Sequence, residues 1–149
     1  MTAFVTGGAG FLLAVLWFDL MFDVQVARRR GPELPEEVLA SIAGYYRRVT
    51  TAARPMNRLI AGVMLATLAV IVIQLAQDDA PVWVSVTSLA LAGSAITLAA
   101  ALTVPSAVRL GRREDGTEAQ SRLARAIFRD HVLCAVALTA LLTVQLAWG

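Results

Sequence analysis

Lysine is absent from this chain, cysteine and histidine occur once each (Cys134 and His131), and charged residues are scarce. They make up 16% of the sequence, against roughly 25% in a soluble domain. A single cysteine inside an apolar run excludes an internal disulfide and a dithiol redox pair, and reads as a small buried hydrophobe. A lone histidine with no ligand pair beside it on a helix excludes the zinc-protease signature. There is no Gly-x-Ser-x-Gly motif, no Ser/His/Asp set and no dinucleotide fingerprint, and Gly7-Gly8-Ala9-Gly10 lacks the lysine of a phosphate loop. With no lysine, the sequence pI of 9.3 rests on 13 arginines. These flank apolar runs, so an orientation signal explains them better than a nucleic-acid partner, and none is expected.

What the chain has in quantity is apolar sequence: 58% of its 149 residues are hydrophobic and the mean hydropathy is +0.67. Nearly all charge falls in two short stretches, leaving four apolar runs predicted to cross a membrane over 3–26, 56–76, 82–108 and 130–148. A helix rising ~1.5 Å per residue needs about 20 residues to cross the hydrocarbon layer. A cleaved signal peptide is disfavoured, because no basic residue precedes the first run and Arg28 to Arg30 follow it. Every arginine lies between Arg28 and Arg58 or between Arg109 and Arg129, on one side of the membrane; the turn on the other side holds Asp78 and Asp79. By the positive-inside rule the arginine loops are cytoplasmic and both termini lie outside, as in a multi-pass protein of a bacterial-type inner (plasma) membrane. Trp83 and Trp148 are then expected at the outer interface, and Tyr45 and Tyr46 at the inner one.

The fold class expected is all-α: an integral membrane four-helix bundle, one domain over 1–149, with an additional amphipathic helix on the cytoplasmic side over 35–53. In that segment Val38, Ile42, Tyr45, Tyr46, Val49, Ala52 and Ala53 share one helical face. Pro35 suits the first turn, Glu36 and Glu37 favour the N-terminus, and Pro55 ends the pattern. Such a helix lies on the membrane surface or under the bundle. Thr117-Glu118-Ala119-Gln120 has the capping-box pattern, which starts the last helix well before its apolar part. Arg122, Arg125 and Arg129 stripe that extension and suit anionic headgroups. Small residues in the first and third spans allow close packing, and Gln74 and Gln145 suit an interhelical hydrogen bond.

The residues pointing to function are Asp19 and Asp23, four apart on one face of the first span. Asp19 lies nine residues before Arg28, about 13 Å deep at helical rise. A carboxylate there costs about 2.5–3.5 kcal/mol on insertion scales and needs a partner or a wet cavity. Arg54, Asn57 and Arg58 at the start of the second span, and Arg129, Asp130 and His131 at the start of the fourth, lie at matching depth. The eight residues define a polar pocket opening to the cytoplasm between the first, second and fourth spans. An ion-pair network fixing helix register uses the same groups. Asp19, Asp23 and His131 offer two oxygens and a nitrogen, but the pattern lacks a flanking ligand pair, so no metal is assigned. Asp19 beside His131 suits proton relay or cation binding; the arginines suit an anionic headgroup.

The run Val104-Pro105, the arginine-rich loop and Arg129-Asp130-His131 resemble the small four-span membrane proteins related to anthrone oxygenase. That family has a proline at the end of its third span and a histidine and arginine opening its fourth; here Cys134 stands three residues after His131, and Ser106 and Ala107 follow the proline. The resemblance covers about the last third of the chain and implies binding or oxidation of an aromatic, polycyclic substrate without an evident cofactor. Arg54, Asn57 and Arg58 also resemble part of the set in membrane glutathione-transferring proteins, without its glutamate.

Three functions are therefore expected to compete. One is a protein binding or acting on a lipophilic small molecule through the Asp/Arg/His pocket, whether or not as an enzyme, with no cofactor identified. Another is an accessory or scaffold subunit meeting a membrane-complex partner, and the last is a homo-oligomeric ion channel or proton-coupled transporter. Membrane lipids surround the protein in each.

Overall fold

Each apolar run becomes one long helix. The computed structural model describes every residue except Ala53, and leaves the side chain of Arg54 undescribed. Helix α1 covers Thr2–Ala27 and α2 covers Glu36–Arg47, continued by a π-helical turn, Arg48–Ala52. Helix α3 covers Arg54–Ala76; α4, Val82–Leu98, runs through a second π-helical turn, Ala99–Thr103, into α5, Val104–Arg112; and α6 covers Thr117–Trp148. No strand occurs among the described residues. Four helical stretches, Thr2–Ala27, Pro55–Ala76, Val82–Arg112 and Thr117–Trp148, are long and apolar enough to cross a membrane. Their outward faces carry exposed Phe4, Trp17, Leu65, Val136 and Leu146. An apolar surface on that scale suits hydrocarbon rather than water.

Around the bundle, α1 packs against α6 and α3, and α4 packs against α6 and α3. One core lies between the spans, with Val5, Ala9, Leu12, Ile71, Ala92, Leu138 and Leu141 buried. Gly8 permits a close crossing of α1 and α3: a Cβ there would lie 2.2 Å from Thr67 Oγ1. At the end away from the arginines, Gln145 Nε2 donates to Gln74 Oε1 (3.2 Å) and Ser88 Oγ (2.9 Å), so the expected interhelical glutamine bond forms. Trp83 and Trp148 pack edge to face there, centroids 5.5 Å apart.

The second core lies at the arginine-rich end, where the 32-residue α6 and the Val82–Arg112 rod are long enough to extend past the apolar layer. Helix α2 buries Val38, Leu39, Ile42, Ala43 and Tyr46 against Ala107, Leu110, Ala124 and Ile127. Its apolar face is thus covered by protein, and α2 lies under the bundle. Of the residues expected on that face, Val38, Ile42 and Tyr46 are buried, Tyr45 and Val49 half-buried and Ala52 exposed, while Ala53 lies outside the described residues. A Cβ on Gly111 would sit 3.0 Å from the Arg47 backbone nitrogen, so α5 and α2 meet backbone to backbone.

Two local expectations are corrected. Pro35 is the residue before α2 (φ −55°, ψ 145°), outside its first turn. Helix α6 starts at Thr117 with Gly116 preceding it and no side-chain cap. The capping box does not form because Gly116, which has no side chain to accept a bond, stands at the cap and Thr117 is already helical; Gln120 Nε2 donates to the Asp115 carbonyl. The arginines along α6 also make bonds within the chain, with Arg122 and Arg129 remaining exposed. Arg125 donates to the carbonyls of Arg29 (3.1 Å) and Gly31 (2.6 Å), Arg122 to Glu118, and Arg129 to Asp130.

Both π-helical turns precede a proline. Pro105 has no N–H to continue the helical ladder, and Thr103 Oγ1 donates to the Leu98 carbonyl at 3.4 Å inside the widened turn. Before Pro55, Asn57 Nδ2 donates to the Thr50 carbonyl at 3.2 Å, supplying a side-chain donor next to a residue with none on its backbone.

Candidate functional site

Spacing of four on α1 aims Asp19 and Asp23 at the same neighbours, the adjacent tyrosines of α2 and His131 of α6. Tyr46 Oη donates to Asp23 Oδ1 at 2.7 Å, and His131 Nδ1 lies 2.7 Å from Asp23 Oδ2. An ionised carboxylate only accepts, which assigns the Nδ1 proton to the histidine and turns Nε2 away from Asp23. Nε2 then lies 3.8 Å from Asp19 Oδ2, while Tyr45 Oη donates to Asp19 Oδ1 at 2.7 Å. Asp23 is 0% exposed, Tyr46 2% and His131 7%. Three helices distant in sequence are thereby joined by one chain of hydrogen bonds.

The tyrosines stay neutral donors. For both hydroxyls, burial first and the adjacent carboxylates second push the pKa well above the ordinary tyrosine range. Phe22 stacks on Tyr45 with centroids 4.1 Å apart, fixing that ring beside Asp19.

The other expected site residues are dispersed. Asn57 lines the cavity described next, with its amide nitrogen on the Thr50 carbonyl. Arg58 is exposed and Arg129 is exposed, the latter pairing with Asp130 at 3.1 Å. Asp130 is buried, and Arg129 is its ion-pair partner. The Arg54 side chain lies outside the described residues. Among the described residues no arginine reaches Asp19 or Asp23, so the carboxylates are met by hydroxyls and an imidazole where guanidinium groups were expected. No group of three His, Cys, Asp or Glu side chains among them is arranged to hold a metal.

Against this polar chain lies a cavity of about 670 Å³. Its polar end is formed by Asp19, Tyr45, Tyr46, Thr50, Asn57 and His131; its walls are Phe11, Val15, Phe18 and Phe22 of α1, Met56, Ile60 and Met64 of α3, and Ile96, Ala99 and Val104 around the second π-helical turn. Cys134 and Leu138 of α6 close the far side. Helix α2 contributes Tyr45 and Tyr46 and the turn after it Val49 and Thr50, so protein covers the cavity on the α2 side. The lining residues exposed on the surface are Ala14 and Phe18 of α1, Met56 and Ala61 of α3, and Val104 of α5. The mouth therefore opens sideways, beside the N-terminal half of α3, towards the apolar surroundings of the bundle.

Tyr45 and Tyr46 are the site residues that sequence reasoning missed. Adjacent tyrosines near the end of a span look like interfacial belt residues; the available signal was their position on the face of α2 that also carries Val38 and Ile42. Comparison of the chain with protein-family models, with curated proteins and with solved structures gives no match.

Proposed function

We propose that this is a multi-pass inner-membrane protein that holds a lipophilic small molecule in the cavity between α1, α3, α5 and α6, with its polar part against Asp19 and His131. The observation that carries the reading is a largely apolar cavity of about 670 Å³ ending on a hydrogen-bonded acid–imidazole chain. Binding sites for small molecules are typically ≈ 300–1,000 Å³, mostly apolar, with a few convergent polar groups. The concentration of arginine at the α2 end supports placing that end in the cytoplasm and both termini outside. On this orientation the polar groups lie in the inner leaflet, and the ligand enters from the bilayer through the sideways mouth.

Thermal unfolding of purified protein with 1-decanol and with 1-naphthol tests the proposal. A ligand at 100 times its Kd stabilises by about 2.7 kcal/mol, so at least one probe is expected to raise Tm. Ala61→Trp, which places an indole at the mouth, is expected to remove that rise. No rise with either probe, or the same rise in the variant, contradicts the proposal.

A further inference from the structure

Two atoms at the polar end of the cavity have capacity left over. His131 Nε2 accepts no hydrogen bond among the described residues, although the side chain is more than nine-tenths buried and lines the cavity. Asp19 Oδ1 takes the Tyr45 hydroxyl, and Oδ2 faces Nε2 at 3.8 Å, beyond hydrogen-bond length. With Nδ1–H given to Asp23, the neutral imidazole presents a lone pair at Nε2. Both groups are therefore acceptors, and a separation of 3.8 Å is one that a single nitrogen can bridge with two N–H donors of about 2.9 Å each.

The charge balance points the same way. Asp19 and Asp23 are the acidic side chains of this hydrogen-bonded cluster, and the tyrosine hydroxyls bring no charge. Arg129 is paired with Asp130 and exposed, and Asn57 has its amide on a backbone carbonyl. An anionic head would meet two carboxylates, and a neutral hydroxyl supplies only one proton for two acceptors. Phe22 and Tyr45 add aromatic rings beside Asp19, which also favour a cation.

We propose that the ligand is a long-chain or otherwise apolar primary amine, bound as its ammonium ion with N–H donors on Asp19 Oδ2 and His131 Nε2 and its apolar body towards Leu138. The inference rests on the reading of the cavity as a ligand site and adds the chemical class of the head.

Four probes with the same alkyl tail test it: decylammonium, decyltrimethylammonium, 1-decanol and decanoate, with binding measured at neutral pH to protein in phosphatidylcholine nanodiscs and corrected against empty nanodiscs. Decylammonium is expected to bind at least 10-fold more tightly than decanol and than decyltrimethylammonium, which has the charge but no N–H, and decanoate weakest of all. Asp19→Asn is expected to abolish the preference for decylammonium over decanol, weakening decylammonium binding at least 10-fold. Decanol or decyltrimethylammonium binding as tightly as decylammonium overturns the ammonium head and leaves the cavity reading standing; no binding of any probe overturns both. Retention of the preference in a folded Asp19→Asn protein also overturns it. If that variant does not fold, the wild-type ranking of the four probes decides alone.

Discussion

His131 and Asp23 are 108 residues apart and meet at 2.7 Å, so the beginning and end of the chain are joined through one buried carboxylate. Tyr46 occupies the other oxygen of that carboxylate, which ties α2 to the same point. The relationship explains how a charged residue is accommodated in α1: every direction from Asp23 is occupied by protein, and both its oxygens have donors. Asp19, one turn away, shares the neighbours but faces the cavity. Two similar residues therefore have different expected roles, one in holding the bundle and one in meeting a ligand.

Asp23→Ala leaves His131 and Tyr46 without their common acceptor. Removing one member of a buried pair typically costs 3–5 kcal/mol, so a loss of about 3 kcal/mol or more is expected in reversible unfolding of the purified protein. Asp19→Asn is expected to cost less than half as much. A larger loss for Asp19→Asn contradicts the division of roles.

Tyr46→Phe removes the donor to Asp23 Oδ1 while keeping the ring. A buried acceptor left unsatisfied costs about 1–3 kcal/mol, and a decrease in Tm of matching size is expected. Tyr45→Phe, at a half-buried position, is expected to have the smaller effect. Equal stability of Tyr46→Phe and wild type would show that the bond contributes nothing.

Gly8→Ala introduces a methyl group 2.2 Å from Thr67 Oγ1. Overpacking of this kind costs about 1–3 kcal/mol. Adding Thr67→Ala, which deletes that oxygen, is expected to restore part of the loss, whereas Gly7→Ala, with nothing within 4 Å, is expected to change stability by less than about 0.5 kcal/mol. The comparison needs the Tm of wild type and of the three variants, and similar losses for Gly7→Ala and Gly8→Ala would argue against a close α1–α3 crossing.

Arg125 binds the carbonyls of Arg29 and Gly31 and so holds the segment that follows α1. Arg125→Ala is expected to speed tryptic cleavage after Arg28, Arg29 or Arg30 several-fold in inside-out vesicles, with little change in the unfolding of the bundle. An unchanged cleavage rate would mean that these bonds do not restrain the segment.

The proposed orientation has its own test. Gln77→Cys, in the acidic turn, is expected to react with a membrane-impermeant maleimide in intact cells, and Glu114→Cys only after permeabilisation. The reverse pattern would invert the topology.

The helices, and the burden placed on α1 by its two aspartates, were legible because a carboxylate in an apolar run has few physical solutions. Their partners were less so. Arginines at matching depth satisfy a charge argument, but Arg58 and Arg129 are long enough to reach solvent, whereas Tyr45 and Tyr46 are held inward by the amphipathic face of α2. That α2 packs under the bundle depends on how far α5 and α6 project, which is a tertiary property. The start of α6 was visible in composition, but the cap falls on Gly116, one residue before the threonine of the capping pattern. The polar end of the cavity was signalled by Asp19, Asn57 and His131, but its apolar walls were not; Pro55 and Pro105, each preceded by a π-helical turn, mark the helix irregularities beside it.

Native mass spectrometry of protein released from nanodiscs containing 1-decanol measures occupancy of the cavity most directly. A single bound decanol per wild-type chain is expected, with occupancy reduced at least 10-fold in Ala61→Trp of equal Tm. Wild-type protein with no bound decanol, or equal occupancy in the two proteins, would contradict the assignment of the cavity as a ligand site.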